Sequence, residues 1–471
     1  MPLNTSGGAA TLGNNPSVVN PSPAPTGGVT LPGQAPSVSG ANPMPSTPDL
    51  IQAGINRFGD PTLESLVRQG LDNSPNLRTA VSRIEEGRIR LQLAQSFLLP
   101  SVRSSALITT QSLSEHRPIA IPTAADRLPR FQLNTFQLLP IDASYEIDLF
   151  RRIRSSIAVA SLQIQASETD YRILRLILAS DVARFYYLIR GNDTEQAVFQ
   201  RNIRSRDTTI AIIRERFRAG LINQIDVQRA ETDYANLQVQ LRGLQRVRTE
   251  LVNGLAQLCA QDPTTFRLEP GTLPDALPTL SYSSIPADLL RRRPDLQQFE
   301  KQTEIAQAQV QVLQATTLPR VTVVGSGGLL SGQIGPWVTP SSATYLVGVN
   351  ASVPLYEGHR NRQNVALSRQ QVQTNQQAYQ QALQVAQREA ETAVDNLTIL
   401  RQQIEQQSQA LTLARRTEQY NRELYVRGLT TYLEVLDAQR TVLSSELQLV
   451  QLRSQEAQYV VALLRSLGGD F

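Results

Sequence analysis

The sequence contains little cysteine, little lysine and few aromatic residues. Its 471 residues include one cysteine, Cys259, which excludes an internal disulfide framework and a cysteine-rich zinc site. Aromatic residues make up 5% of the chain and hydrophobic residues 41%, which is lean for a protein with large globular cores. Lys301 is the only lysine, yet 45 basic residues nearly balance 41 acidic ones. This balance gives no reason to expect a nucleic-acid partner.

Long hydrophobic runs are missing as well. No stretch of about eighteen apolar residues is present, so the sequence predicts no transmembrane helix. No signal peptide is visible, because the chain does not open with a charged segment followed by an apolar one. Residues 1–48 are instead rich in Pro, Gly, Ser, Asn and Ala. Such a composition buries too little apolar surface to offset ordering, and it predicts a disordered N-terminal segment.

What the chain does contain is an internal repeat. The segment "RFRAGLINQIDVQRAE", residues 216–231, is echoed by "YVRGLTTYLEVLDAQR", residues 425–440, with Gly220 on Gly428. "SPNL" parallels "RPDL", and "YEIDLFRR" parallels "SVPLYEGH". The repeat predicts two structural copies, residues 49–270 and 292–471, joined by a proline-bearing linker, residues 271–291.

Each copy is expected to contain one very long helix that turns back into another helix. No proline occurs between Ile141 and Asp262 or between Leu355 and Phe471. In the second copy, residues spaced alternately by four and three form a seam typical of coiled-coil packing. The seam consists of Tyr379, Leu383, Ala386, Ala390, Ala393, Leu397, Leu400, Ile404, Gln407, Leu411 and Ala414. A helix from His359 to Val426 would extend about 100 Å, and Gly220 and Gly428 mark the two hairpin tips.

Alternating residues predict β-strands between the helices. From Tyr345 to Leu355 every second residue is apolar, and the same alternation runs from Ile141 to Leu149. Two weaker strands are expected in "SVRSSALITTQ" and "RVTVVGSGG". This pattern fits a membrane-barrel strand and also fits an amphipathic strand of a soluble sheet. Four strands cannot close a barrel, so in a membrane two copies would supply eight strands and three copies twelve.

The repeat and the segments "SYEIDLFRRIRSS", "LLRRRPDL", "YVRGLTTYLEVLDAQR" and "LLRSLGG" resemble the outer-membrane efflux channels, the TolC-like family and its OprM-like branch. The resemblance covers residues 49–470 in both copies. It implies a homotrimer with an α-helical barrel in the periplasm and a 12-stranded transmembrane β-barrel in the outer membrane lipid. It also implies a periplasmic adaptor and an inner-membrane RND or ABC transporter as partners, with drugs or other solutes leaving through the channel.

The same resemblance assigns roles to residues near the hairpin tips. It implies that Leu433 forms an apolar constriction, that Asp437 forms an acidic ring, and that Arg440 joins contacts that lock the closed state. Arg229 occupies the position that matches Asp437 in the first copy, where it either pairs with Asp437, within one protomer or between two, or faces solvent. The residues implied to form the adaptor-docking tips are Arg218, Gly220, Leu221, Arg427, Gly428 and Leu429.

Other functions find little support in the sequence. "GSGGLLSG" lacks the spacing of a nucleotide-binding loop, "RRRPD" is interpreted as a helix start, and His116 and His359 lack metal-ligand spacing. We therefore expect no enzyme activity, metal or cofactor. Two alternatives remain open at this point: a periplasmic adaptor, which carries one hairpin between β-rich domains, and a soluble coiled-coil scaffold. The fold class expected is mainly α with β, built from long helical hairpins and four strands.

Overall fold

A computed structural model describes residues 54–114, 131–274, 277–278, 290–333 and 338–469. The predicted N-terminal segment 1–48, His116 and much of the linker lie outside these residues. None of the described helices carries an apolar stretch long enough to cross a membrane.

The helices of the two copies have equal lengths. In the first copy, α1 (Pro61–Asn73) precedes α2 (Pro75–Ser96), α3 (Arg152–Arg218) and α4 (Gln224–Leu258). In the second copy, the helices are α5 (Pro294–Ala315), α6 (Arg360–Val426) and α7 (Tyr432–Ser466). The matching pairs contain 22, 67 and 35 residues each. These three helices therefore recur with the same lengths in both copies, whereas α1 has no counterpart among the described residues.

The predicted seam of α6 is buried. Six of its eleven members, among them Ala386, Ala390 and Leu400, are buried, and the other five are half-buried. The one polar member, Gln407, donates from Nε2 to the backbone oxygen of Ser445 on α7 at 3.1 Å. From Ala393 onward the seam packs α6 against α7, whereas Ala386 and Ala390 pack against the start of α5. Helix α4 packs against α3. Contacts between α3 and α7 join the two copies.

The two copies also share a core near the ends of α4 and α7. Buried residues of α1, α3, α4 and α7 pack together there, including Leu63, Val182, Leu255 and Leu464. Cys259 belongs to this core and is fully buried, in keeping with a packing role.

The "RRRPD" segment begins α5, as the sequence predicts. Pro294 occupies the first turn, where its missing N–H leaves no intrahelical bond unmade. The Arg293 guanidinium is largely buried and donates to Asp295 at 2.7 Å and to Glu389 on α6 at 3.0 Å. It also donates to the backbone oxygen of Ser466 on α7 at 3.2 Å. Arg293 thus fixes the start of α5 to both helices of the second hairpin.

The sheet has four strand positions, and β1 and β2 share the first. The strands are β1 (Ser101–Ser104), β2 (Leu107–Leu113), β3 (Phe131–Ile147), β4 (Arg320–Ser331) and β5 (Ala343–Ser352). Both β1 and β2 pair with β3, then β3 pairs with β4 and β4 with β5, all antiparallel. The described part of the first predicted strand is thus interrupted after Ser104.

Strand β3 begins ten residues earlier than the alternation from Ile141 predicts. The register between β3 and β4 shifts between Leu138 and Ile141, where Pro140 stands. Proline lacks an N–H and is tolerated in a sheet at such an irregularity. Because a proline precedes Ile141, the sequence did not predict the first half of this strand.

One face of the sheet is apolar and the other is polar. Cross-strand partners on the apolar face run in rows such as Val102, Ala143, Gly325 and Val347, or Ile147, Val321 and Ala351. Their neighbours on the opposite face include Arg103, Asp142, Thr322 and Asn350. Among the described elements, no α-helix packs extensively on either face. The apolar side chains of β5 are therefore exposed, Tyr345 to 86% and Val347 to 79%.

In each copy a short segment connects the sheet to the long helix. The structure aligns these two segments one residue differently from the pairing made on the sequence. Arg151 and His359 both adopt a left-handed conformation, with φ of 59° and 64°, immediately before α3 and α6. "YEIDLFRR" therefore corresponds to "VPLYEGHR" rather than to "SVPLYEGH". The spacing of 208 residues is the same as that between Gly220 and Gly428.

Candidate functional site

The hairpin tips have the same backbone structure in both copies. The N–H of Leu221 donates to the Arg216 oxygen and that of Leu429 to the Leu424 oxygen, each at 2.9 Å. Gly220 and Gly428 have φ of 69° and 75°. These bonds and the positive φ define a Schellman helix ending, which glycine adopts without the steric cost that other residues incur.

The predicted docking residues lie on the surface of the tips. Leu221 is 73% exposed and Leu429 is 70% exposed, although both are large apolar side chains. Arg218 and Arg427 are exposed as well, and Arg218 donates to Glu215 at 2.5 Å. Each tip therefore presents a leucine beside an arginine to its surroundings.

A small core lies directly behind the tips. Ile210 and Ile213 from α3 and Ala230 from α4 pack against Val435 and Leu436 from α7. The ring of Tyr432 joins this core and lies 5.9 Å from the ring of Tyr425. The guanidinium of Arg216 lies over the Tyr425 ring at 4.8 Å, a cation–π contact. Both hairpins thus contribute to one apolar cluster at this end of the molecule.

The predicted gate residues of α7 are exposed on one side of that helix. Leu433, Asp437 and Arg440 are separated by four and three residues and are all exposed, whereas Val435, Leu436 and Gln439 between them are buried. No charged partner contacts Asp437 within the described chain. Their role in a gate stays a prediction.

Arg229 does not pair with Asp437 in the described chain. Its guanidinium lies 3.8 Å from Asp226, three residues earlier on α4, and its side chain is about half exposed. A pair with Asp437 within one protomer is therefore not formed, and a pair between protomers stays a prediction.

One carboxylate joins three helices just behind the tip core. Asp233 of α4 accepts from Arg206 Nε of α3 at 2.8 Å and from Arg440 Nε of α7 at 2.9 Å. The side chains of Arg206 and Asp233 are 2% and 8% exposed, whereas that of Arg440 is 51% exposed. Asp233 thus holds one arginine in the interior and one at the surface.

Sequence reasoning missed Asp233 and Arg206. Arg206 corresponds to Ala414, a member of the apolar seam, because the two copies are offset by 208 residues. A charged residue at a seam position requires a buried partner, and this was the signal that could have pointed to the pair. Asp233 corresponds to Thr441, so the junction exists in one copy and has no counterpart in the other.

Burial also affects the ionisation of a neutral group in this junction, the hydroxyl of Tyr432. It raises the pKa of Tyr432 to about 12, with nearby Arg206 acting in the opposite direction. Among the described residues, no partner is found for the Tyr432 hydroxyl, for Arg206 Nη2 or for the side-chain oxygen of Gln439. The junction therefore contains more buried polar atoms than its own hydrogen bonds satisfy.

Fold and site together define a class of protein. Two copies of a long helical hairpin carry an exposed amphipathic sheet at one end of their long helices. At the opposite end lie paired apolar tips and a charged junction between the hairpins. This is the arrangement of a duplicated, mainly helical protein with one uncovered apolar sheet face.

Comparison with known proteins identifies the family. The sequence pattern of the family described as outer membrane efflux protein matches residues 66–261 and 285–469. Outer membrane protein OprJ of Pseudomonas aeruginosa is 26% identical over 414 residues, 88% of this chain and 85% of OprJ. The solvent efflux pump outer membrane protein SrpC of Pseudomonas putida is 27% identical over 417 residues, 88% of this chain and 86% of SrpC.

Solved structures share the fold. The outer membrane protein VceC of Vibrio cholerae superposes with a TM-score of 0.78 at 24% identity, over 88% of this chain and 98% of VceC. A membrane protein from Pseudomonas aeruginosa gives a TM-score of 0.79 at 25% identity, over 88% of this chain and 91% of that protein.

The chain belongs to the outer membrane efflux protein family. The resemblance found in the sequence is thereby confirmed, and the adaptor and scaffold alternatives are wrong. The protein is an outer-membrane efflux channel that extends into the periplasm, and its family is one of transporters rather than enzymes.

Proposed function

We propose that three copies of this chain assemble into the exit channel of a tripartite efflux system. The observation that carries the proposal is the single-layer sheet with an uncovered apolar face. A water-exposed sheet of this kind would be unstable, whereas in lipid its apolar face is solvated and its polar face can line a lumen.

The edges of the sheet argue for the trimer. At one edge β1 and β2 pair only with β3, and at the other β5 pairs only with β4, within the described residues. Unpaired backbone groups in lipid cost several kcal/mol each, so the edges must pair with other copies. Three copies supply twelve strand positions, enough for a barrel with an open lumen. The long helices then form a continuous tube below it.

The tips are the proposed docking surface for a periplasmic adaptor and, through it, an inner-membrane RND or ABC pump. Leu221 and Leu429 offer apolar side chains in equivalent positions, and Arg218 and Arg427 flank them. Related proteins are named for pyoverdine export, in OpmQ of Pseudomonas aeruginosa, and for solvent efflux, in SrpC. The solutes proposed for this chain are small organic molecules of that kind.

The gate is proposed to lie at the tip end of α7. Leu433 and Asp437 are exposed in the single chain, as residues that face a lumen would be. Asp233 supports closure because it ties α7 to the first hairpin through Arg440. The pair with Arg206 is buried, and the pair with half-exposed Arg440 is the one proposed to open. Opening would move α7 away from α3 and α4 without breaking the first hairpin.

The two repeats, 49–270 and 292–471, are proposed to be the structural units of the protomer. The first described residues of the predicted linker are tied to the first repeat, where Gly271 N donates to Asp193 at 3.1 Å and Leu273 N to Thr194 at 3.0 Å. The linker would then connect units that already pack together through α3 and α7.

A matched pair of variants tests the membrane sheet. Val349→Lys places a charge on the apolar face, at a cost of about 2–4 kcal/mol near the membrane centre. Asn350→Lys, the next residue, places the same charge on the polar face. We expect the first variant to lose recovery as a detergent-extracted trimer and single-channel conductance, and the second to keep both. Equal behaviour of the two variants would argue against the proposed function.

A further inference from the structure

A cleft lies where the second helical hairpin meets the first repeat. It encloses about 600 Å³ between α3, the start of α5, the middle of α6 and the end of α7. Ile173, Leu176 and Ile177 of α3 form an apolar wall, and charged side chains of the other three helices line the rest. Clefts of roughly 300–1,000 Å³ with apolar walls and a few charged groups are typical of small-molecule sites.

The equivalent place in the first repeat is filled by an aromatic ring. With the offset of 208 residues between the repeats, Ala393 and Ala462 of the cleft correspond to Phe185 and Gly254. The Phe185 ring lies against Gly254, because a Cβ built on this glycine would be 2.6 Å from Cε1 of the ring. Phe185 also packs against the core that the two repeats share. The second repeat has no ring at this position, and the cleft is open there.

The two equivalent places also differ in charge. Arg388 and Arg465 line the cleft, and they correspond to the neutral residues Ser180 and Gln257 in the first repeat. Within the described chain, neither arginine side chain forms an ion pair or a hydrogen bond. The second repeat has therefore lost an aromatic ring here and has gained two guanidinium groups without a partner.

The carboxylates of the cleft already have a partner. The Arg293 guanidinium at the start of α5 donates to Asp295 at 2.7 Å and to Glu389 at 3.0 Å. Three arginines against two carboxylates give the charged lining of the cleft a net positive charge. Because charges in a partly apolar setting are normally paired, a ligand that fits this lining is an anion.

We propose that this cleft binds a small aromatic anion of the aromatic carboxylate class. The ring of the ligand takes the place that Phe185 occupies in the first repeat, against Ala393, Ala462 and the apolar wall of α3. Its carboxylate accepts from the guanidinium groups of Arg388 and Arg465, whose planar donors suit a carboxylate. Such a ligand contacts α3 as well as α6 and α7, so it connects the two repeats. The proposal goes beyond the channel function, because one chain supplies all the lining residues.

Binding is measured by isothermal titration calorimetry on the full chain in a non-ionic detergent, with naphthoate as the probe and empty micelles as the blank. Naphthamide, which keeps the ring and lacks the charge, should bind at least about tenfold more weakly. The double variant Arg388→Gln/Arg465→Gln should weaken naphthoate binding to the same extent. The control, Arg369→Gln/Arg453→Gln, removes the same charge from exposed positions of α6 and α7 and should bind like the original protein. Equal binding of the two probes, or equal weakening in both double variants, would overturn the assignment.

A second variant fills the cleft in the way the first repeat does. Ala393→Phe/Ala462→Gly gives the second repeat the pair that Phe185 and Gly254 form in the first. It should lose naphthoate binding while its far-UV circular dichroism spectrum stays that of the original protein. Naphthoate should raise the melting temperature of the original protein and leave that of this variant unchanged. Unchanged binding to the variant would overturn the proposal. So would the absence of saturable binding to the original protein, because the cleft would then be covered by another part of the chain or by a second copy.

Discussion

At the scale of single residues, the junction around Asp233 contains a buried ion pair that also contacts a surface arginine. A carboxylate that is 8% exposed lies between a buried arginine and a half-exposed one. Removing one member of a buried pair costs far more than removing an exposed pair, because the remaining charge has lost its solvent and its partner. Loss of the Asp233 charge should therefore destabilise the tip end.

Replacing Asp233 by asparagine leaves Arg206 buried without a counter-charge. We expect Asp233→Asn to lower the free energy of unfolding by about 3–5 kcal/mol, measured by urea titration in detergent. Glu231→Gln is the matched control, since Glu231 lies two residues away and pairs with Arg214 at 2.7 Å at the surface. Its cost should stay below about 1 kcal/mol. A similar decrease in the free energy of unfolding in the two variants would show that the burial of Asp233 does not contribute to stability.

The hydroxyl of Tyr432 makes stability depend on alkaline pH. Burial raises its pKa from about 10 to about 12, so the unfolded chain ionises first as the pH rises. Between these values the unfolded state holds fewer protons than the folded state, and stability falls with increasing pH. The effect is at most about 3 kcal/mol for two pKa units.

Tyr432→Phe should remove this part of the pH dependence. We expect the fall in melting temperature between pH 9 and pH 12 to be smaller in Tyr432→Phe than in the original protein. Tyr420→Phe, an exposed tyrosine on α6, should leave the fall unchanged. Tyr186, whose pKa burial also raises to about 12, keeps part of the dependence in every variant. An identical fall in all three proteins would contradict the assignment to Tyr432.

At the scale of elements, the tips require glycine because of its backbone conformation and not because a side chain would clash. A Cβ built on Gly220 or Gly428 would meet nothing within 4 Å, but both residues have positive φ. Gly220→Ala and Gly428→Ala should each lower the stability of the helix ending at their tip by about 1 kcal/mol. Faster hydrogen exchange of the Leu221 or Leu429 amide is the measurement.

Gly243 is the control for the tips. It lies exposed inside α4, also with nothing within 4 Å of a built Cβ, and its backbone is helical. Gly243→Ala should therefore stabilise α4 by up to about 1 kcal/mol and leave exchange at the tips unchanged. Slower exchange at a tip after its own glycine is replaced would refute the account of the turn.

The elements were largely predictable from sequence because their signals are local. The seam of α6, the glycine turns and the strand alternation all repeat within a few residues. The Asp233 junction was not predictable in this way, since Arg206 lies 27 residues from Asp233 and Arg440 lies 207 residues away. Only folding of the two hairpins against each other brings the three together. The first half of β3 was missed for a local reason, the proline at its register shift.

At the scale of the whole molecule, the two copies are joined by close helix packing. A Cβ built on Gly191 of α3 would lie 2.5 Å from Oγ and 2.9 Å from Cβ of Ser454 on α7, so glycine is what lets these helices approach. Duplicated sequence alone would give two similar hairpins. This contact is one of those that make them a single body.

The equal helix lengths of the copies have a consequence for how such a protein can change over time. Each residue added to a helix extends it by about 1.5 Å, so losing one heptad from a single hairpin would leave its turn about 10 Å short of the other. A partner that touches both turns at once could no longer reach them together. Changes in overall height are therefore tolerable only when they occur in both halves of the gene, in whole heptads and in equal number.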